Sequence, residues 1–300
     1  AYSIKPFFSV FSYVRKHKPL VLHCHLPKSQ LLGILVCKIL KKPPLLILHE
    51  QGDILDSPRL MKVIYRYFAS EVKLIIACSG YLEKKIAGLR PEFEPITRVI
   101  PNFVDNSFFL NSQHYKPVEE KNLPFNIGFA GRLVRRKGWQ SLVSFIHSSQ
   151  HDFHFWIAGD GPDKKRLLKE LKKNTHSAEK PVYTFMDYVS DMQSYFQKLD
   201  CLVILSLWEG FPLILLEALA SKVPVIILKN DSNMEIIGLE DAVLFVDAAN
   251  TQDLNNAVKI IQENGERRKN MISRGYNFAL DFQKEIICDK LRKSYLEIAE

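Results

Sequence analysis

SLWEGFPLILLEALASKVPV, residues Ser206 to Val225, decides how the chain is read. It follows the apolar run LDCLVILS, Leu199 to Ser206, and so sets out a strand, a loop and a helix in that order. Pro212 suits the first helical turn, where its missing N–H costs nothing and its fixed φ fits the geometry. Gly210, lacking a Cβ, lets the backbone approach a ligand closely. Leu213, Leu216, Leu219 and Ala220 recur at helical spacing as an apolar face, so Glu217 on the same segment needs a separate reason to be there, such as a hydroxyl that donates to it. Glu209 and Glu217 are either two solvated glutamates on an ordinary strand–helix unit or a pair set around a helix N-terminus that holds an anion or polar ligand.

Outward from this stretch, short apolar runs alternate with amphipathic helices, the pattern of an α/β chain whose parallel sheets are covered on both faces. Strands are expected near 20–24, 44–48, 73–78 and 97–100, and again near 125–130, 153–158, 182–185, 200–205, 223–228 and 243–246. The polar stretch Leu110 to Pro124 reads as a linker. The expectation is two doubly wound, Rossmann-like domains, 1–110 and 111–280. A last helix from 281 follows an apparent break at Arg274-Gly275 and packs back on the first domain.

The chain of 300 residues is 47% hydrophobic, enough for two cores. Residues 1–110 hold 16 Lys and Arg against 8 Asp and Glu, while 111–300 hold 25 of each, so the net charge of +8 resides in the first part. A basic half attracts anionic surfaces, and KPFFSVFSYVRKHK, Lys5 to Lys18, is either a helix that lies on a lipid interface or one whose Phe7, Phe8, Phe11 and Tyr13 join the core. Core burial is the favoured expectation. The basic residues form no stripe and accompany no nucleic-acid motif, so nucleic acid is not an expected partner. Five cysteines without a C-x-x-C pair fit a reducing, cytoplasmic setting. The longest apolar stretch, Leu31 to Leu48, is broken by three lysines and Pro43-Pro44, short of the roughly 20 residues that span a bilayer.

Residues with chemistry collect after expected strands of the second domain, where open α/β sheets bind ligands. Gly131 to Gly138, GRLVRRKG, is a glycine turn with Arg132 and Lys137 five residues apart, suited to phosphate oxygens or simply solvated. Gly159-Asp160-Gly161-Pro162 is a tight turn, most simply structural. Neither a dinucleotide fingerprint nor a P-loop is present, and no D-x-D pair would hold a divalent metal.

Together FAGRLVRRKG, AGDGP, SLWEGFPLILLEALA and VPVI, in that order and spacing, resemble the retaining glycosyltransferases of the GT-B fold, family 4, the "group 1" family. LHCHLP, ILHEQGD, ACSGYL and VIPNFVDNSFF, with Asn102, Asp105 and Phe109, resemble later segments of that family's first domain. The resemblance implies two Rossmann-like domains facing a cleft and transfer of a hexose from a nucleotide diphosphate sugar to a glycan or lipid-linked acceptor. It implies that Arg132 and Lys137, beside Gly131 and Gly161, hold the donor diphosphate, and that Glu217 accepts from ribose hydroxyls. Glu209 and the backbone of Gly210, Phe211 and Leu213 would meet the sugar and distal phosphate, Val189 the base, and His49 the transferred sugar. No cofactor and no metal are expected. The pattern departs from the family at Ser221-Lys222, at Asp231 to Glu235 and at Phe103, which leaves the phosphate residues intact.

The family's first strand and glycine-rich loop have no counterpart before Ala1, so an upstream segment or a partner chain is expected to supply them. Two other readings stay open: a partner-dependent nucleotide-sugar-binding subunit, and an epimerase or phosphorylase of the same fold. A cytoplasmic enzyme, peripheral on the inner membrane face, is the expected setting.

Overall fold

The computed structural model describes residues 4–52, 59, 63, 65, 66, 69–110, 124–149, 153–173, 182–236, 241–247 and 251–299. Nearly all of the expected linker, 111–123, lies outside them. The chain divides into two compact units, one of residues 1–102 with 285–300, the other of 103–284.

In the first unit, β1 (Val21–His25), β2 (Leu45–Glu50), β3 (Val72–Ala77) and β4 (Thr97–Val99) form a parallel sheet in the order β1-β2-β3-β4. Its strands are rich in Val, Leu and Ile because helices cover the sheet, and Leu46, Ile47, Leu48, Ile75 and Ile76 are fully buried. Its helices include α1 (Lys5–His17), α2 (Pro27–Ile39) and α3 (Gly80–Leu89). Pro6 and Pro27 open α1 and α2, where proline loses no hydrogen bond. Ser79 caps α3 by accepting from the Leu82 amide at 3.4 Å. Only Val14 of α1 is buried; Phe8 and Tyr13 are 59% and 61% exposed, which corrects the expectation that the aromatics of this helix are core residues. Phe7 and Phe11 are half-buried, so the four rings point to different sides of the helix rather than into one core face.

The second unit holds β5 (Phe125–Ala130), β6 (Phe153–Ala158), β7 (Val182–Phe185), β8 (Cys201–Ile204), β9 (Val225–Leu228) and β10 (Val243–Val246), all parallel, in the order β10-β9-β8-β5-β6-β7. Chain direction across the sheet reverses between β5 and β8: the connection from β5 leads to β6 on one side, and that from β8 leads to β9 on the other. Such a switch point opens a crevice at the carboxyl ends of the two strands. Around the sheet lie α4 (Trp139–Ser148), α5 (Lys164–Lys172), α6 (Leu213–Ala220), α7 (Asp231–Ile236), α8 (Thr251–Glu263) and α9 (Gly265–Leu280). Phe145, Phe155, Cys201, Val203, Ile226 and Val258 are in the core they enclose.

At the amino ends of β5 and β8, buried Asp200 accepts from the Asn126 amide at 2.8 Å and pairs with buried Arg268 at 3.5 Å. This anchors the strands opposite the crevice. Helix α9 runs straight through Arg274 and Gly275, so the expected break there does not exist. A Cβ on Gly275 would come within 2.6 Å of Leu219 Cδ2, and the glycine instead lets α9 press against α6. The turn falls at 281–283, before α10 (Lys284–Ala299), which belongs to the first unit and whose Tyr295 hydroxyl lies 2.5 Å from His23 Nδ1.

Two glycines give opposite expectations. Gly138 has φ +76° and a Cβ there would meet the Leu205 carbonyl oxygen at 2.0 Å, so Gly138→Ala should lower unfolding stability by about 2 kcal/mol or more in urea titrations. Gly88, exposed on α3 with nothing within 4 Å of its missing Cβ, should instead give about 0.5–1 kcal/mol more stability as Gly88→Ala.

Candidate functional site

The loop after β5, 131–138, and the loop after β8, 205–212, are tied together at the switch point. The Leu207 amide donates to the Arg136 carbonyl at 2.8 Å, and Gly138 brings its backbone against Leu205. Side chains complete the join. Lys137 Nζ donates to Glu209 Oε1, Arg136 Nη1 stands 3.6 Å from Glu209 Oε2, and the same Nη1 reaches the Trp208 carbonyl at 3.5 Å. Glu209 is only 7% exposed along its side chain, so two cations compensate one nearly desolvated carboxylate. The backbone is held as well: the Glu209 amide donates to Ser232 Oγ at 3.0 Å, and Ser232 donates to Asn230 Oδ1 at 2.8 Å. Asn230 Nδ2 in turn donates to the Ser206 carbonyl. The loop after β9, where the sequence departs from the family pattern, therefore clasps the Glu209 loop.

Lys137 lies back over Gly131, whose missing Cβ would sit 4.0 Å from the lysine Cδ. The Gly159–Pro162 turn, expected to be structural, supports the same loop. The Leu133 amide donates to the Asp160 carbonyl at 2.8 Å and the Asp163 amide to the Leu133 carbonyl at 3.0 Å. A Cβ on Gly161 would meet Leu133 backbone atoms below 3 Å. Arg132, at the tip, is exposed, and its guanidinium has no partner among the described residues.

Gly210 and Phe211 are buried and lead into α6, while Leu213 is 46% exposed at the first turn of that helix. Its apolar face is thus made by Leu215, Leu216, Ala218, Leu219 and Ala220 rather than by Leu213. Glu217 is half-buried on α6 with no ion pair or side-chain hydrogen bond among the described residues, and burial raises its pKa to about 6. An unpartnered carboxylate in that position is available to accept from a ligand. Val189 stands half-buried in the loop after β7.

The structure therefore brings Gly131, Lys137, Glu209 and the Gly161 turn together around the switch point, and it adds Arg136, Asn230 and Ser232, which the sequence reading did not single out. Their only signal was position: Arg136 immediately precedes Lys137, and the other two follow β9.

In the first unit, His49 closes β2, where the Gln30 amide group donates to its carbonyl oxygen at 3.0 Å. Its ring stacks beside those of His25 and His23, at centroid distances of 4.8 and 5.3 Å. Burial, then the neighbouring imidazoles, lower the His49 pKa to about 3, and burial lowers that of His23 to about 4, so both rings are neutral near pH 7. Next to His49, Glu50 is fully buried, accepting from Tyr65 Oη and from the Gly52 amide.

Residues 112–278 match the family described as Glycosyl transferases group 1, and residues 1–108 match Glycosyltransferase Family 4. The Escherichia coli UDP-Gal:alpha-D-GlcNAc-diphosphoundecaprenol alpha-1,3-galactosyltransferase is 25% identical, over 98% of this chain and 80% of its own. The E. coli O-antigen biosynthesis glycosyltransferase WclY is 26% identical, over 66% of this chain and 53% of its own. Among solved structures, Anabaena Alr3699/HepE in complex with UDP-glucose superposes with a TM-score of 0.81 at 17% identity, covering 97% of this chain and 82% of that one. A glycosyltransferase from Rickettsia africae ESF-5 gives 0.81 at 17% identity, over 99% and 81%. Two parallel-sheet units that follow these structures over nearly their whole length, and family matches to both, lead to one conclusion: the chain belongs to the glycosyl transferases group 1 family and has the GT-B fold.

Proposed function

We propose that the chain transfers a hexose from a nucleoside diphosphate sugar to a glycan or lipid-linked acceptor, with retention of anomeric configuration and without a metal. The observation that carries this reading is the cationic loop 131–138 at the switch point, with Lys137 and Arg136 set on Glu209 and Arg132 left open beside them. Negative charge builds on the departing diphosphate in the transition state, and donors fixed in place before the reaction stabilise it without reorganising. Arg132 supplies a planar fork for the phosphate oxygens, and Lys137 a compact charge whose position Glu209 sets. The unpartnered Glu217 accepts from the ribose hydroxyls, while Val189 meets the base through its backbone. Gly210, Phe211 and Leu213 offer backbone groups to the sugar and distal phosphate, and His49, neutral, faces the transferred sugar as a hydrogen-bonding group. No carboxylate is assigned as nucleophile: the acceptor hydroxyl attacks on the face the diphosphate leaves, and the leaving phosphate takes its proton.

A uridine nucleotide and a lipid diphosphate acceptor are favoured by the likeness to a galactosyltransferase whose name gives UDP-Gal and a diphosphoundecaprenol, and to Alr3699/HepE with UDP-glucose bound. No helix among the described residues is long and apolar enough to cross a membrane. Membrane contact is proposed through the first unit, where Phe11, Leu20, Ile39 and Pro43 line a groove of about 1150 Å³ with Arg15, Lys18, Lys41 and Lys42. Apolar walls beside cations suit an anionic lipid surface.

Isothermal titration with UDP, GDP and ADP sugars in EDTA should give saturable binding of one nucleotide, and Arg132→Ala should cut kcat roughly 10²–10³-fold. Binding equal in wild type and variant for every nucleotide would overturn the donor-site assignment, and release of an epimer without acceptor would move the reading to an epimerase.

Glu217 gives a linked test. Its folded pKa, about 6, is above the ordinary 4.5, so its ionised form costs stability above pH 6, and this cost is absent below about pH 4.5. At neutral pH, Glu217→Gln should therefore raise unfolding stability by about 1–2 kcal/mol while weakening nucleotide affinity roughly tenfold.

Replacing Lys18, Lys41 and Lys42 by serine should reduce partition onto vesicles containing phosphatidylserine by about 1 kcal/mol per lysine, with the difference fading at high salt. An unchanged partition would remove the membrane proposal.

A further inference from the structure

The parallel register of the first sheet pairs His25 directly with His49 and places His23 one pleat earlier on the same face. Three imidazoles thus converge at one end of β1 and β2. One ring nitrogen from each of the three lies within 4.8 Å of the other two, and the His23 and His25 centroids are 4.2 Å apart. His49 Nδ1 and Nε2 and His23 Nε2 are buried without a hydrogen-bond partner, although a buried polar nitrogen ordinarily has one. The cluster is also open to entry, because His25 is exposed.

We propose that His23, His25 and His49 form a binding site for one borderline transition-metal cation of the Zn²⁺ class. Imidazole nitrogen suits Zn²⁺, Co²⁺, Ni²⁺ and Cu²⁺, and a site without oxygen ligands does not suit Mg²⁺ or Mn²⁺. A tetrahedral ion with bonds of about 2.0–2.1 Å needs nitrogens about 3.4 Å apart, which ring rotation on the fixed strands provides. Tyr295 supplies the outer contact: with Nδ1 of His23 protonated and donating to the hydroxyl 2.5 Å away, Nε2 keeps its lone pair for the metal. Gln30 fixes the backbone of His49. Three protein ligands leave a fourth position for water or an anionic oxygen.

This ion is not a cofactor of the proposed transfer. It occupies the ring of His49, so, in the part of the inference that rests on the reading of His49 as a sugar contact, the metal blocks transfer.

The test is a Co²⁺ titration of the full chain after EDTA treatment, without donor or acceptor, followed by visible absorption and then displacement by Zn²⁺. One Co²⁺ per chain with intense tetrahedral bands is expected, unaffected by excess Mg²⁺. The bands should be lost in His25→Ala, an exposed position whose substitution leaves the core intact, and retained in Cys288→Ser, which removes the exposed thiol. Tyr295→Phe should weaken affinity by about tenfold without changing stoichiometry. Absence of saturable binding, bands that persist in His25→Ala, or bands that vanish in Cys288→Ser would each overturn the site. None of these outcomes bears on nucleotide binding by the second unit, so failure here and failure of the transferase reading are separable.

Discussion

A carboxylate nearly removed from water, that of Glu209, must be compensated where it stands, and this requirement organises the carboxyl end of the second sheet. Lys137 and Arg136 provide the compensation from the loop after β5, and Ser232 holds the Glu209 amide from the loop after β9. Three loops that leave three different strands are thereby fixed to one another. Removing either cation would leave a buried charge short of a partner, which is costly, so the pair acts as a positional lock more than as a source of net stability. The lock also fixes where the lysine ammonium stands.

Glu217 shows the opposite arrangement. Its carboxylate is half-buried on α6 with no compensating group among the described residues, a position that lowers stability in the ionised state. A ligand that donates to such a carboxylate in the folded state would stabilise the chain by mass action. Glu209, compensated, and Glu217, uncompensated, thus stand eight positions apart in opposite electrostatic settings, the first tying loops together and the second, on the proposed reading, left for a ligand.

Much of this was legible from residues alone. Runs such as LLILH, FNIGFA and LVIL are apolar, bounded by turn formers and too short for helices, and each became a buried parallel strand. The loops that carry Arg132, Lys137 and Glu209 followed from where those strands end. Other features depend on distance in space, which the order of residues does not display. Gly275 looked like a break because glycine weakens a helix, yet its lack of a side chain is used sideways, to admit Leu219. Aromatics at Phe8 and Tyr13 resembled core residues because hydrophobicity does not state which face is covered. Of the three histidines only His49 stood out in the sequence, because what brings His23 and His25 beside it is the register of β1 on β2.

The clasp between the loops after β5 and β8 joins Lys137 to Glu209, 72 positions apart, and the anchor at the other end joins Asn126 to Asp200, 74 apart. Both join β5 to its direct neighbour β8, although β6 and β7 intervene between them along the chain. Closing so long a loop costs entropy before any contact rewards it, and high contact order slows folding. The two ends of β5 and β8 are thus held by contacts of long sequence separation, and substitutions that weaken them bear on how fast this unit folds as well as on how stable it is.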